Sequence, residues 1–221
     1  MITNGHGKPV VALDIDGTLG DYHGNFLDFA GRYFNEGFPR EGAGRPNLNP
    51  GLPLWEWMGL GIREYRDAKL AYRQGGWKRW MPVYPDAPEL THEIRAAGAE
   101  VWICTTRPYL RLDNIDPDTR EWLRRNGFEY DAVLFDPLTE DETKYHELVR
   151  QVGVERIASV TDDLPEMIEA AEYLRIPNRT VPILRDQIYN RHVNFARRAM
   201  NTNDIWRYVI QDLERWNRGI E

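Results

Sequence analysis

Val10-Val11-Ala12-Leu13-Asp14-Ile15-Asp16-Gly17-Thr18 is the stretch that decides the fold. Four apolar residues, two of them β-branched, run straight into Asp-x-Asp-Gly-Thr. An apolar run this short, closed by a polar turn, reads as a strand buried on both faces. The pentapeptide itself carries information, since four fixed residues at average composition recur by chance in a chain of this length on the order of 10⁻³ times.

Working outward, the same pattern returns at Val101 to Cys104, Ala132 to Phe135 and Ile157 to Val160. A fifth run, Thr180 to Leu184, contains Pro182 and is expected at a sheet edge, because proline cannot donate to a central ladder. Amphipathic segments alternate with these strands. Thr139 and Glu142 form a capping box for a helix presenting Tyr145, Leu148, Val149 and Val152 on one face, with Gly153 as its stop. Asp116-Pro117 opens a second helix that ends at Asn126-Gly127, and Pro165 opens a third that runs through Ala171. Ile205 to Trp216 has helical spacing and packs on the domain. Strands alternating with helices imply an α/β fold: a parallel sheet with right-handed crossovers and helices on both faces, three layers in all.

The stretch from about Asp21 to Tyr84 breaks that alternation, being rich in aromatic residues, glycine and proline, with one clear helix around Ile62 to Tyr72. It is expected to be a helical cap inserted at 21–84, the sheet domain being 1–20 plus 85–221. Pro39 to Pro53 within it has no hydrophobic period and is expected to be a long loop.

Composition narrows the chemistry. The chain has 221 residues, 42% hydrophobic and 29% charged, enough to bury a core without disulfide or structural metal. Cys104 is the only cysteine, which excludes a disulfide scaffold and a zinc finger and makes the cytoplasm the expected compartment. No stretch approaches the roughly 20 apolar residues of a membrane span, and Met1 to Pro9 has no apolar core, so neither a membrane helix nor a signal peptide is expected. A net charge of −7 disfavours duplex nucleic acid as a partner. The lone serine, Ser159, sits inside an apolar run, leaving a serine triad almost nowhere to start, and the five histidines lack zinc-helix spacing.

In an open α/β sheet the ligand site lies beyond the carboxyl ends of the strands. Asp14, Thr105 and Asp162 all fall there. Alone, each has a plainer explanation: aspartates favour turns and helix caps, threonines favour strands, and Lys144 reads as a solvated helix residue. Their order along the chain outweighs these.

Asp14 and Asp16, Thr105 in Ile103-Cys104-Thr105-Thr106-Arg107-Pro108, Lys144, and Thr161-Asp162-Asp163 together resemble the four motifs of the haloacid dehalogenase superfamily of phosphotransferases. A closer resemblance is to the 5'(3')-deoxyribonucleotidases, carried further by Gly24-Asn25-Phe26-Leu27, by Tyr189-Asn190-Arg191-His192 and by Asp204-Ile205-Trp206. Thr106 where that family more often has serine, and Arg107 before the proline, depart from its pattern.

The resemblance implies an Mg²⁺-dependent phosphomonoesterase for a small phosphorylated molecule, most specifically a nucleotide. Asp14 would be the nucleophile and Asp16 the acid and base, which calls for a raised Asp16 pKa or a shared proton. The turn at Gly17 is expected to bring both side chains toward the phosphate. Thr105, Thr106 and Lys144 would bind phosphate oxygens. Asp14, Asp16 through its carbonyl, and Asp162 would hold the metal, with Asp163 orienting a metal water. Phe26, Trp55, Trp57 and Trp80 are candidates for stacking a base, and Arg107 for a second anionic group. A phosphatase for another metabolite or a DNA 3'-phosphate end, and a non-catalytic nucleotide-binding module, are the alternatives. The sequence leaves a homodimer open.

Overall fold

The computed structural model describes residues 7–38, 54–108, 112–137, 139, 141–178 and 180–219. In chain order they form β1 (Val10–Leu13), α1 (Tyr22–Phe34), α2 (Leu54–Met58), α3 (Ile62–Gln74), a 3-10 turn (Trp77–Trp80), α4 (Ala87–Ala96), β2 (Glu100–Thr105), α5 (Ile115–Arg125) and β3 (Ala132–Phe135). There follow α6 (Lys144–Val152), β4 (Ile157–Asp162), α7 (Pro165–Tyr173), β5 (Ile183–Arg185), β6 (Arg198–Ala199) and α8 (Thr202–Arg218). The expected loop at Pro39 to Pro53 lies outside the described residues.

All strand pairs are parallel, in the order β3-β2-β1-β4-β5-β6. β1 is central because every one of its residues is apolar and fully buried, so neither face tolerates water. Leu13 pairs with Ile103 on one side and Thr161 on the other, so the chain just beyond it meets the ends of β2 and β4. That register puts Asp14, Thr105 and Asp162 at one edge.

Two apolar layers sandwich the sheet. Val11, Leu13 and Val101 pack with Leu90 and Ile94 of α4, Trp122 of α5, and Ile205, Val209 and Leu213 of α8. Val10, Ala12, Cys104 and Val160 pack with Tyr145 and Leu148 of α6 and Ala171 of α7. Each side chain of that size stabilises by about 1.5–3 kcal/mol when removed from water. Cys104 is an inert core residue, its thiol pushed up to about 12 by burial. Ser159 is also structural: its Oγ donates to Asp212 at 2.8 Å, and Arg197 donates to both oxygens of Asp212 at 2.9 and 3.0 Å. Among the described residues no helix is long and apolar enough to cross a membrane.

Three sequence expectations change. β5 is not an edge strand: β6 pairs with its outer side, and Pro182 sits one residue before the strand, where its missing N–H disturbs no ladder. α6 begins at Lys144 rather than near Thr139, because Thr143 caps it by accepting from Tyr145 N at 3.3 Å and Asp136 accepts from Lys144 N at 3.1 Å. The Thr139 hydroxyl does accept from Glu142 N at 3.1 Å, but this turn stands ahead of the helix. α5 starts at Ile115 with Asn114 in the cap position, one turn-fraction before the expected Asp116.

Between β1 and β2 the chain leaves the sheet through a narrow stalk. Asp21 N donates to Pro82 O at 2.8 Å and Tyr84 N to Leu19 O at 3.0 Å, so exit and return lie side by side. Above it, Tyr22, Phe26 and Phe29 of α1 meet Tyr72 of α3 with ring centroids 5.4–5.8 Å apart. Asn25 Nδ2 donates to Tyr72 Oη at 2.6 Å and to Trp77 O at 3.3 Å, satisfying the polar atoms that this packing buries. The segment is anchored to α5 by Arg79, whose Nε donates to Asp118 at 2.5 Å, and by Asn114, which donates to Arg73 O at 2.8 Å.

Candidate active site

β1 ends in a tight turn in which Leu19 and Gly20 both donate to Ile15 O, at 2.9 and 3.0 Å. Gly17 sits in it with φ +97°, a region that glycine alone enters freely. Space demands glycine as well: a Cβ there would overlap the Asp163 carboxylate and lie 2.7 Å from the Tyr189 hydroxyl. The turn therefore brings the β1 end against the residue that follows β4.

Asp14 is 4% exposed at this junction. Lys144, entirely buried at the start of α6, donates to Asp14 Oδ1, to Asp162 at 2.7 Å and to Cys104 O at 3.1 Å. Asp162 is held further by Tyr145 Oη at 2.7 Å and Leu164 N at 3.0 Å. Asp163 accepts from Tyr189 Oη and, at 3.4 Å, from Thr18 Oγ1, while its carbonyl accepts from Asn190 Nδ2 at 2.7 Å. One carboxylate oxygen from each of Asp14, Asp162 and Asp163 lies within 4.8 Å of the others. Burial, reinforced by the neighbouring carboxylates, raises the pKa values of Asp14 and Asp163, while Lys144 pulls the other way. Lys144 itself would be lowered by burial, but Asp14 and Asp162 more than reverse this and keep it charged.

Asp16 faces a different environment. Arg107, 1% exposed, donates Nη2 to Asp16 Oδ1 at 2.6 Å, and Lys78 of the 3-10 turn donates to Oδ2. Burial alone would raise the Asp16 pKa; the two cations outweigh it and hold the carboxyl well below its ordinary range. The expectation of a raised Asp16 pKa is thus corrected, because Arg107 and Lys78 supply charge the motif does not announce. Lys78 is pushed down to about 7, by burial first and by Arg107 as a like charge, with Asp16 opposing. Charge compensation of Asp16 therefore begins with Arg107.

The remaining expected residues are distributed as follows. Thr105 is fully buried at the end of β2, its hydroxyl accepting from Arg107 N at 3.3 Å, and Thr106 beside it is half-buried. Phe26 is completely buried inside the aromatic cluster rather than facing open space. Trp55 and Trp57 are half-buried on α2. Trp80 is 63% exposed, and its ring is met by the guanidinium of Arg125, the last residue of α5, at 3.8 Å. Lys78, Tyr145 and Tyr189 were not singled out as site residues, although Tyr189 belongs to the quoted Tyr-Asn-Arg-His segment. For Lys78 the available signal was its place between two tryptophans in Trp77-Lys78-Arg79-Trp80, where a cation can be desolvated.

A parallel sheet with this strand order, and an acidic cluster at the ends of its two central strands, define the fold of the haloacid dehalogenase-like hydrolases. Solved structures agree: a haloacid dehalogenase-like hydrolase of Streptococcus pneumoniae has a TM-score of 0.59 at 14% identity, covering 91% of this chain and 98% of that one. A haloacid dehalogenase-superfamily hydrolase of Geobacter sulfurreducens has a TM-score of 0.57 at 16% identity, covering 91% and 100%. The D,D-heptose 1,7-bisphosphate phosphatase of B. bronchiseptica, solved with magnesium and phosphate, has a TM-score of 0.54 at 12% identity, covering 92% and 99%. Among curated proteins, the chain is 26% identical over 124 residues to one from Oceanobacillus iheyensis that bears a provisional nucleotidase name. The match takes in 56% of this chain and 59% of that relative's length. No family model matches the chain.

Proposed function

We propose that the protein is an Mg²⁺-dependent phosphomonoesterase that works through an aspartyl-phosphate on Asp14, with a nucleoside monophosphate as the substrate. The observation that carries this reading is Lys144, fully buried and bridging Asp14 and Asp162 at the carboxyl edge of the sheet. A buried lysine between two carboxylates on adjacent strand ends is costly to maintain for structure alone.

Asp14, Asp162 and Asp163 suit Mg²⁺, being an all-oxygen, buried set with oxygens within 4.8 Å, and the Asp16 carbonyl would complete the protein's share. The ion would offset the charge of the phosphate. In the first step an Asp14 oxygen bonds to phosphorus as the bond from phosphorus to the leaving oxygen breaks, and Asp16 gives that oxygen a proton. In the second, Asp16 takes a proton from water, whose oxygen attacks phosphorus and frees Asp14. Lys144 and the Thr105 hydroxyl stabilise the nonbridging oxygens. Asp16 can carry its proton only when the pull of Arg107 and Lys78 on it is offset, which a phosphate dianion beside them would do.

The segment at 21–84, whose described part holds α1, α2 and α3, serves as the cap. It supplies Lys78 to Asp16 and sets an aromatic body over the site, so closure would exclude water from the phosphate. The provisional name of the Oceanobacillus iheyensis relative favours a nucleotide among phosphomonoesters. The test is Mg²⁺-dependent phosphate release from deoxy- and ribonucleoside monophosphates and sugar phosphates, with Asp14→Asn as the blank. Nucleotide hydrolysis abolished in the variant is the expected result. Release from sugar phosphates alone would remove the nucleotide, and release by the variant would remove the mechanism.

A further inference from the structure

The net charge of −7 hides a concentrated positive patch beside Asp16. A cavity of about 640 Å³ lies between α3 and the segment that follows β2, lined among others by Tyr65, Arg66, Lys69 and Arg73 on one wall and Pro108 and Leu112 on the other. Among the described residues three cations line it and no carboxylate does. Arg66, Lys69 and Arg73 follow helical spacing, so one face of α3 presents all three. Among the described residues none of the three is in an ion pair, and Arg73 Nε is buried without a hydrogen-bond partner. A buried guanidinium N–H with no acceptor is unfavourable, and a bound anion would supply the acceptor.

The cavity belongs electrostatically to the phosphate site. Pro108 follows Arg107, the residue that grips Asp16. Lys69 is pushed down to about 8, by burial first and then by the like charge of Arg73, while Asp16 acts on it in the opposite sense. Arg73 acts likewise on Lys78. Asp16 thus contacts Arg107 and Lys78 directly, Lys69 lies near enough to feel its charge, and Arg73 acts on Lys69 and Lys78. Lys144 is used on the opposite side, by Asp14 and Asp162. With Lys144, Arg107 and Lys78 serving the transferred phosphate and Asp16, the cavity cations Lys69 and Arg73 are left without an anionic partner among the described residues.

Resting on the phosphatase reading above, we infer that this cavity holds a second phosphoryl group carried on the leaving alcohol, so that among phosphomonoesters a nucleoside bisphosphate is preferred over the corresponding monophosphate. Arg73 offers a planar fork to two phosphate oxygens, Lys69 a point charge beside it, and the Tyr65 ring a wall for the carbon skeleton between the two phosphates. The second group anchors the leaving portion while Asp14 engages the first.

Two measurements separate this inference from the reading it rests on. In turnover, thymidine 3',5'-bisphosphate is compared with thymidine 5'-monophosphate in the wild type and in Lys69→Gln/Arg73→Gln. The expected kcat/KM ratio is about tenfold or more in favour of the bisphosphate, falling to near one in the double variant and retained in the conservative single variant Lys69→Arg. In binding, Asp14→Asn protein is titrated calorimetrically with both compounds, with and without the double substitution. Tighter binding of the bisphosphate by the same factor, lost with the substitutions, supports the site even if neither compound turns over, in which case the nucleotidase reading alone falls. Equal affinities, or a preference the substitutions leave intact, overturn the second phosphoryl site whatever the activity.

Discussion

Arg107 holds Asp16 from two directions: Nη2 lies 2.6 Å from Oδ1 and Nε 3.2 Å from each carboxylate oxygen, while Nη1 donates to Thr119 Oγ1 at 3.0 Å. Both side chains are largely withdrawn from water, so neither charge tolerates losing the other. Arg107→Met should destabilise the fold by about 3 kcal/mol, the scale for breaking a buried pair, and Asp16→Asn should offset part of that loss in the double variant. Urea denaturation of the cycle measures it. Strictly additive single effects would mean the pair is not coupled.

Gly17 serves backbone and site at once. Gly17→Ala places a methyl group where Asp163 and the Tyr189 hydroxyl already are, at a φ that alanine resists. The expected cost is about 1–3 kcal/mol of stability and roughly 10²-fold in phosphate release, because Asp163 must move. A variant with full activity and unchanged melting would contradict the close approach.

Asp212 offers the contrasting case of a buried carboxylate with no part in the chemistry. It fastens α8 to β4 through Ser159 and Arg197. Asp212→Ala should cost about 3 kcal/mol while leaving kcat within about twofold at a temperature where the variant is folded. A selective loss of kcat with little loss of stability would assign it a role in the site.

His23 fixes the sign of one pH effect. Its ring stacks on Tyr189 at 4.2 Å with Nδ1 buried and unpartnered. Burial first, then the nearby Lys69 and Lys78 charges, lower its pKa from 6.5 to about 4, with Asp16 opposing. The unfolded chain therefore binds more protons between these values, and the histidine's contribution, complete above pH 6.5, is lost as pH falls toward 4. Relative to His23→Gln, the wild type should lose roughly 1–3 kcal/mol across that window in denaturation experiments. Parallel stability curves for the two proteins would refute a buried neutral imidazole.

The central sheet was legible because Val10 to Leu13, Val101 to Cys104 and Ala132 to Phe135 are apolar throughout, and Ile157 to Val160 at all but Ser159, short runs of the kind a buried parallel strand requires. Asp14, Asp162 and Lys144 were legible through the order of the motifs, and the structure brings these three into contact. What sequence did not disclose depends on distant partners. The two residues of β6 are too few to show a period, so the covering of β5 was invisible. Thr139 and Thr143 both offer helix caps, and the choice fell to Thr143 because Asp136, on the loop after β3, reaches Lys144 N. The ionised state of Asp16 follows first from Arg107 and then from Lys78, 62 residues away, held in place by the stalk and the aromatic packing above it.

The most direct test of the central claim is acid-quenched turnover with ³²P-labelled substrate, followed by peptide mapping. Label retained on the peptide that contains Asp14, and absent with Asp14→Asn, is the result expected of an aspartyl-phosphate. Steady phosphate release with no labelled protein at any quench time, or release that survives Asp14→Asn, would contradict it.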